Sequence, residues 1–193
     1  MATPNLKGTQ TEKNIVSSYL NETQSYARYT YYAQQADKEE YFPIGEIFRQ
    51  TAANELHHAK VFLKMLGGGS VVGSVAVDAI PPKTTAENLE ISMGEEENEG
   101  VHAYQEFAKI AQQEGFDDIA SHFLAIAEVE KHHLDRFTLL HQQVVDGTVW
   151  KRDKPIMWQC LVCGYMHEGT TPPVKCPACD HPYQHYMPTD IIG

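Results

Sequence analysis

Cysteine is missing from the first 159 residues of this 193-residue chain; all four cysteines stand between Cys160 and Cys179. No thiol is left for a structural disulfide in the main body. Basic residues are scarce as well, 15 Lys and Arg against 26 Asp and Glu, for a formal net charge of −11. Nothing resembles a basic face, which argues against nucleic acid as a partner. No apolar run approaches membrane-spanning length, and the opening Met1–Lys7 has no apolar leader core. These absences point to a soluble cytoplasmic protein with no membrane partner. Its length allows one good-sized core and a small satellite domain.

What the chain does have is a repeat built on metal-ligand residues. Glu-x-x-His occurs twice, as Glu55-Leu56-His57-His58 and Glu130-Lys131-His132-His133. Glu22 stands 33 residues before Glu55, and Glu96 stands 34 before Glu130. Glu and His at i, i+3 leave a helix on one face and can hold one ion together. Two such helices, with a Glu from each of two more, match the di-metal carboxylate site of ferritin-like bundles.

Four helices are expected. Thr9-x-x-Glu12 is a capping box opening the first, to about Ala36; Pro43 suits the first turn of the second, which ends at Leu66 before three glycines. Thr84-x-x-Glu87 opens a third helix ending at Gly115, and a fourth runs from about Asp117 to Val145. The connection from Gly67 to Lys83 is long enough to carry the chain back along a bundle, with a weakly signalled strand through Val71, Val72 and Val75.

Core seams with steps of three and four run through all four helices. The first reads Ile15, Tyr19, Glu22, Tyr26, Tyr29, Ala33, and the second Ile44, Phe48, Thr51, Glu55, His58, Phe62, Met65. The third reads Leu89, Ser92, Glu96, Glu99, Ala103, Glu106, Ile110, and the fourth Ile119, Phe123, Ile126, Glu130, His133, Phe137, Leu140, Val144. A lone buried carboxylate costs several kcal/mol. Glu22, Glu55, Glu96, Glu99 and Glu130 therefore cannot share a core without cations. Two divalent ions fall one charge short of balancing them and two trivalent ions exceed them by one, which favours a redox pair. Carboxylate with imidazole suits iron or manganese.

Glu99 taken alone reads equally well as a ligand or as a solvated acid. His57 and His132 point about 100° away from the ligand histidines and read as surface or supporting residues. Tyr26, Tyr29 and Tyr104 could donate hydrogen bonds to ligand carboxylates. Ordinary core packing is the simpler reading for each except Tyr29, seven residues after Glu22 on the same face. His102, His122, His141, His167, His181 and His185 are assigned no role.

After Trp150 the composition turns to Cys, Pro, Gly and Tyr. We read residues 1–149 as the helical bundle and 153–193 as a second domain, too small to fold without a metal. Cys160-x-x-Cys163-Gly164 and Cys176-Pro177-x-Cys179 are two knuckles for one tetrahedral ion. Zinc and iron both suit four thiolates. A redox-capable di-metal site in the same chain, which needs electrons, favours iron.

With these residues placed, the chain resembles the rubrerythrin family over nearly its whole length. The resemblance rests on Glu22, Glu55-x-x-His58, Glu96-x-x-Glu99, Glu130-x-x-His133 and the Cys-x-x-Cys-Gly-Tyr…Cys-Pro-x-Cys pattern. It implies a ferritin-like four-helix bundle followed by a rubredoxin-like domain, two non-haem irons in the bundle and one iron on four cysteines. It also implies reduction of hydrogen peroxide to water, an electron-donating reductase or rubredoxin as partner, and a homodimer in which one subunit's cysteine domain approaches the other's di-iron site. Glu55 and Glu130 would bridge the irons, with Glu22 on one and Glu96 and His133 on the other. Glu99 would bind the first iron when oxidised and His58 when reduced. His57 departs from the acidic or polar residue expected there. Two alternatives are a ferroxidase and a helical bundle carrying a structural zinc ribbon.

Overall fold

The computed structural model describes residues 5–190. Met1–Pro4 and Ile191–Gly193, the outer ends of the two expected domains, lie outside them. Helices α1 (Gln10–Lys38), α2 (Phe42–Met65), α3 (Thr85–Glu96), α4 (Tyr104–Gln113) and α5 (Asp117–Val145) are followed by strands β1 (Ile156–Cys160), β2 (Met166–Gly169) and β3 (Tyr186–Pro188). A π-helical turn, Glu97–Ala103, joins α3 to α4, so the two make one rod and the bundle has four members.

The helix ends follow their local chemistry. Thr9 Oγ1 accepts from the Glu12 amide, but the Glu12 carboxylate takes the Gly8 amide, so this box closes one residue early. The Thr84–Glu87 box is complete. Gly115 (φ 85°) and Gly147 (φ 66°) adopt the left-handed conformation that ends α4 and α5. Residues 67–84 form no strand: the crossover lies extended over α1, where Gly73 packs against Val16 with no partner strand to pair with.

Two apolar clusters fill the bundle. One gathers Tyr29, Tyr32, Phe48, Phe137 and Leu140, the other Ile15, Phe62, Tyr104, Phe123 and Ile126. The carboxylate-bearing turns lie between them. Tyr26 departs from its expected seam: it is 39% exposed, and Ser25 is buried instead.

The third seam also shifts. Tyr104, Ala108 and Ala111 are buried and Glu106 is exposed, one to two residues later than expected beyond Glu99. The cause is the π turn, in which the Tyr104 amide reaches back five residues to the Glu99 carbonyl. One extra residue in a turn rotates everything after it by about 100°.

The C-terminal strands form an antiparallel sheet in the order β2-β1-β3, closed over Trp158, Cys160, Cys176 and Tyr186. It seats on the bundle end where α1 gives way to α2. Tyr41 stacks on Trp150 (5.6 Å), Phe42 on His185 (4.0 Å), and Met187 joins the nearer apolar cluster.

Candidate metal centres

α1 supplies Glu22, α2 supplies Glu55 and His58, α3 ends on Glu96, and α5 supplies Glu130 and His133. The carboxylates Glu22, Glu55, Glu96 and Glu130 are at most 5% exposed. Their ligand atoms fall into two overlapping groups, Glu22–Glu55–His58–Glu130 and Glu55–Glu96–Glu130–His133, each within 4.8 Å. Glu55 and Glu130 belong to both, the arrangement of carboxylates that face two neighbouring centres.

The imidazoles face the same two points. His58 Nδ1 lies 2.9 Å from Glu130, 3.1 Å from Glu55 and 3.8 Å from Glu22. His133 Nδ1 lies 2.8 Å from Glu130, 3.2 Å from Glu55 and 3.7 Å from Glu96. Both Glu130 oxygens, Glu55 Oε1 and His133 Nδ1 are nonetheless buried without a properly directed hydrogen bond. Their lone pairs converge on shared space rather than on each other. Buried polar atoms left so are rare, and a cation between them satisfies all of them. The donor set fits two iron ions.

Without a cation, protons take that role. Burial opposes charge on His58 and His133, but the carboxylates of Glu130 and its neighbours close beside them push both up to about 12. Burial would raise Glu130 too, yet His133 and His58 hold it at about 2. Burial pushes Glu96 up to about 8 and Glu22 well above the carboxylate range.

The Tyr29 hydroxyl donates to Glu96 Oε1 at 2.5 Å, and the Tyr104 hydroxyl to Glu22 Oε1 at 2.6 Å. Each tyrosine thus fixes one of the two unshared carboxylates, and burial raises both phenols well above their ordinary range, which keeps them as donors. For Tyr104, hydrogen bonding replaces the simpler packing reading; the π turn brings it to the site.

Glu99 lies outside both groups. It sits in the π turn, and burial pushes it up to about 7. The next residue, Gly100, is where the turn meets α5: a Cβ there would stand 2.1 Å from Glu130 Cβ. Sequence reasoning missed Gly100, and also Asn54, whose side-chain amide lies 3.2 Å from His133 Nε2. It likewise passed over Arg136, which donates to Thr51 at 2.7 Å below the cluster. A glycine breaking an acidic run was the only visible signal. His57 is exposed and His132 points away from the cluster.

In the C-terminal sheet, Cys160, Cys163, Cys176 and Cys179 bring four sulfurs within 4.8 Å. Cys160–Cys179 and Cys163–Cys176 are each 3.7 Å apart, a spacing for four thiolates around one ion rather than for disulfides. Burial works against the Cys176 thiolate, but the Tyr186 hydroxyl beside it and the amides of Ala178 and Cys179 hold it at about 6. The Tyr165 and His181 amides point at Cys163 and Cys179. Gly164 (φ 76°) makes the first knuckle's turn.

The family model described as Rubrerythrin matches residues 13–141, and that of the rubrerythrin rubredoxin-like domain matches residues 158–187. The chain is 40% identical to a rubrerythrin of Clostridium perfringens, covering 94% of this chain and 95% of that protein. It is 40% identical to a rubrerythrin of Nitratidesulfovibrio vulgaris, with 97% of each covered. Among solved structures, a mixed-valence nigerythrin is similar in fold, with a TM-score of 0.63 at 23% identity over 97% of this chain and 93% of that one.

Proposed function

Because the chain belongs to the rubrerythrin family, we propose that it is a cytoplasmic non-haem di-iron peroxidase that protects against oxidative stress. It reduces hydrogen peroxide to water with electrons relayed through its four-cysteine iron. The observation that carries this reading is a pair of four-residue clusters sharing Glu55 and Glu130, held in the same chain as a four-sulfur site. Bound iron supplies the two electrons and the Lewis acid for cleaving the O–O bond.

The chain's residues divide the work. Glu55 and Glu130 would hold both ions; Glu22 would serve the first, and Glu96 with His133 the second. Tyr29 and Tyr104 keep the unshared carboxylates from turning away. His58 stands in the first cluster and Glu99, in the π turn, outside it; Glu99 would hold the first ion when oxidised and His58 when reduced. A carboxyl poised at about 7 can also hold and pass on a proton near neutral pH.

Residues 1–149 act as the reacting bundle and 153–193 as the electron-carrying domain. Glu55 lies 13 residues along α2 from the Phe42–His185 stack, so about 20 Å of helix separates the cluster from the point where the chain's own C-terminal domain meets α2. That span favours a homodimer in which a partner subunit delivers the electrons. A reductase or rubredoxin would approach at the exposed Cys163, beside Leu161 and Val162.

One observation favours a ferroxidase as the second reading. With Glu99 outside, six residues remain around the two positions; the four-cysteine domain argues the other way, because a ferroxidase takes its electrons from substrate iron. Rapid mixing separates the two. Anaerobically reduced, iron-loaded protein should recover its oxidised four-thiolate colour much faster with stoichiometric peroxide than with dioxygen, and Cys163→Ser should abolish sustained turnover. Recovery with dioxygen alone, or turnover untouched by Cys163→Ser, would overturn the peroxidase reading.

A further inference from the structure

A polar cavity of ≈ 390 Å³ lies between α1, the π turn and the crossover, and Glu99 lines it. One face of α1 supplies Asn21, Gln24, Ser25 and Arg28, at helical spacings of three and four. This stripe has no apolar side chain and runs beside the core seam that carries Glu22. The crossover supplies the outer wall, with Ser74 and Asp78, and Gln24 reaches the Ala76 carbonyl.

Other approaches are less open. Along the bundle axis the cluster is closed on both sides by packed aromatic rings, Tyr29–Phe48–Phe137 on one and Phe62–Tyr104–Phe123 on the other. Three further clefts, around Leu63 and Val71, Lys13 and Val72, and Tyr31 and Pro82, reach neither Glu99 nor any residue of the cluster.

The charge on the walls is selective. Arg28 is paired with Glu95, which leaves Asp78 and Glu99 as the acids facing the space. Small anions are repelled from such a cavity, whereas a neutral molecule that both donates and accepts hydrogen bonds finds serine, amide and carboxylate partners along it.

We propose that this cavity is the vestibule through which a small uncharged hydroperoxide reaches the carboxylate–histidine cluster, with the crossover as its outer wall. The proposal rests on the peroxidase reading. Its test is a plug. Ser74 is exposed on the crossover and lines the cavity, so Ser74→Trp fills the cavity mouth. Val77→Trp, on the same segment at an outward, 70% exposed position, is the control.

With equal iron content and melting temperature in all three proteins, Ser74→Trp should slow the second-order reoxidation of the reduced centre by peroxide by about tenfold or more, and Val77→Trp should not. A second readout avoids turnover. Peroxide soaked into crystals of zinc-loaded wild type should place diatomic density between Ser25 and Glu99, and the plug should remove it. Fast wild-type reoxidation that Ser74→Trp matches within about twofold, or soaked density that the plug leaves in place, would overturn the vestibule alone. A wild type that peroxide does not reoxidise would overturn the peroxidase reading first, and the vestibule with it.

Discussion

The two metal centres are built in opposite ways. The bundle centre takes its groups from four helices and from positions as far apart as Glu22 and His133, and apolar clusters pack on both sides of it. The sulfur centre draws on two short knuckles within 20 residues, closed over a core of four buried residues that includes two of the cysteines themselves. In the first, the fold makes the site; in the second, the site makes the fold. Removing the metals should separate them. Chelation under reducing conditions should leave helical ellipticity largely intact while β1–β3 lose their amide dispersion, because metal binding in such small domains contributes on the order of 10 kcal/mol. Loss of both together, followed by far-UV circular dichroism and amide spectra, would mean that the interface at Tyr41 and Trp150 ties the two regions into one unit.

The same contrast explains what could be read from sequence. Cysteine knuckles are local, so their spacing announced them. Glu55, His58, Glu130 and His133 were legible because each interrupts an apolar seam at helical period, and the structure gathers those four with Glu22 and Glu96. The register after Glu99 was not legible. A π turn leaves no periodic signature, and its consequences, Tyr104 on Glu22 and Gly100 against Glu130, depend on where α5 lies. Asn54 escaped for the same reason, since its partner is on another helix.

Acidity should act on the bundle centre in a way that reverses when metal binds. In the metal-free protein Glu22, Glu96 and Glu99 are raised, so the folded state holds more protons than the unfolded one. Their contribution is unfavourable above the unfolded carboxylate value near 4.5, and stability falls as pH rises from there to about 8. His58 and His133, raised to about 12, act in the same direction: their contribution is full below about 6.5 and is lost as pH climbs towards 12. Glu130 opposes them, since its contribution is present above about 4.5 and lost as pH falls towards 2. The metal-free bundle should therefore be most stable near pH 4.5 and lose on the order of several kcal/mol by pH 8. Metal must displace those protons, so the gain in melting temperature on loading should grow with pH. Parallel melts of loaded and stripped protein would show it; a gain independent of pH would mean the cluster does not hold these protons.

Gly100→Ala tests how tightly the π turn is pressed on α5. The added Cβ would meet Glu130 Cβ at 2.1 Å, so one backbone must yield, at a cost of about 1–3 kcal/mol. Since Glu130 is shared, iron stoichiometry should fall along with the melting temperature. A thermal loss with full iron content would assign Gly100 to packing alone. Tyr29→Phe and Tyr104→Phe make a gentler cut. Each leaves one buried carboxylate oxygen short of a donor, for about 1–3 kcal/mol of stability and about 10–100-fold in iron affinity. Because Tyr29 serves Glu96 and Tyr104 serves Glu22, the two variants should weaken different iron positions, which Mössbauer spectra can tell apart.

The smallest effect lies where the two regions meet. Glu40 carries φ 63° in the turn between α1 and α2, the left-handed conformation that ends helices comfortably only with glycine. Its carboxylate accepts a long 3.3 Å hydrogen bond from Gln184, a link from the bundle to the cysteine-bearing region. Backbone strain and this contact pull in opposite directions. An exposed hydrogen bond of that length contributes little, whereas releasing the strain gains more than the added freedom of glycine in the unfolded chain takes back. Glu40→Gly should therefore raise the bundle's stability by about 0.5–1 kcal/mol in denaturant melts. If the melting temperature falls instead, the Gln184 contact is worth more than its geometry suggests. The turn would then be strained in order to seat the sulfur centre on the bundle.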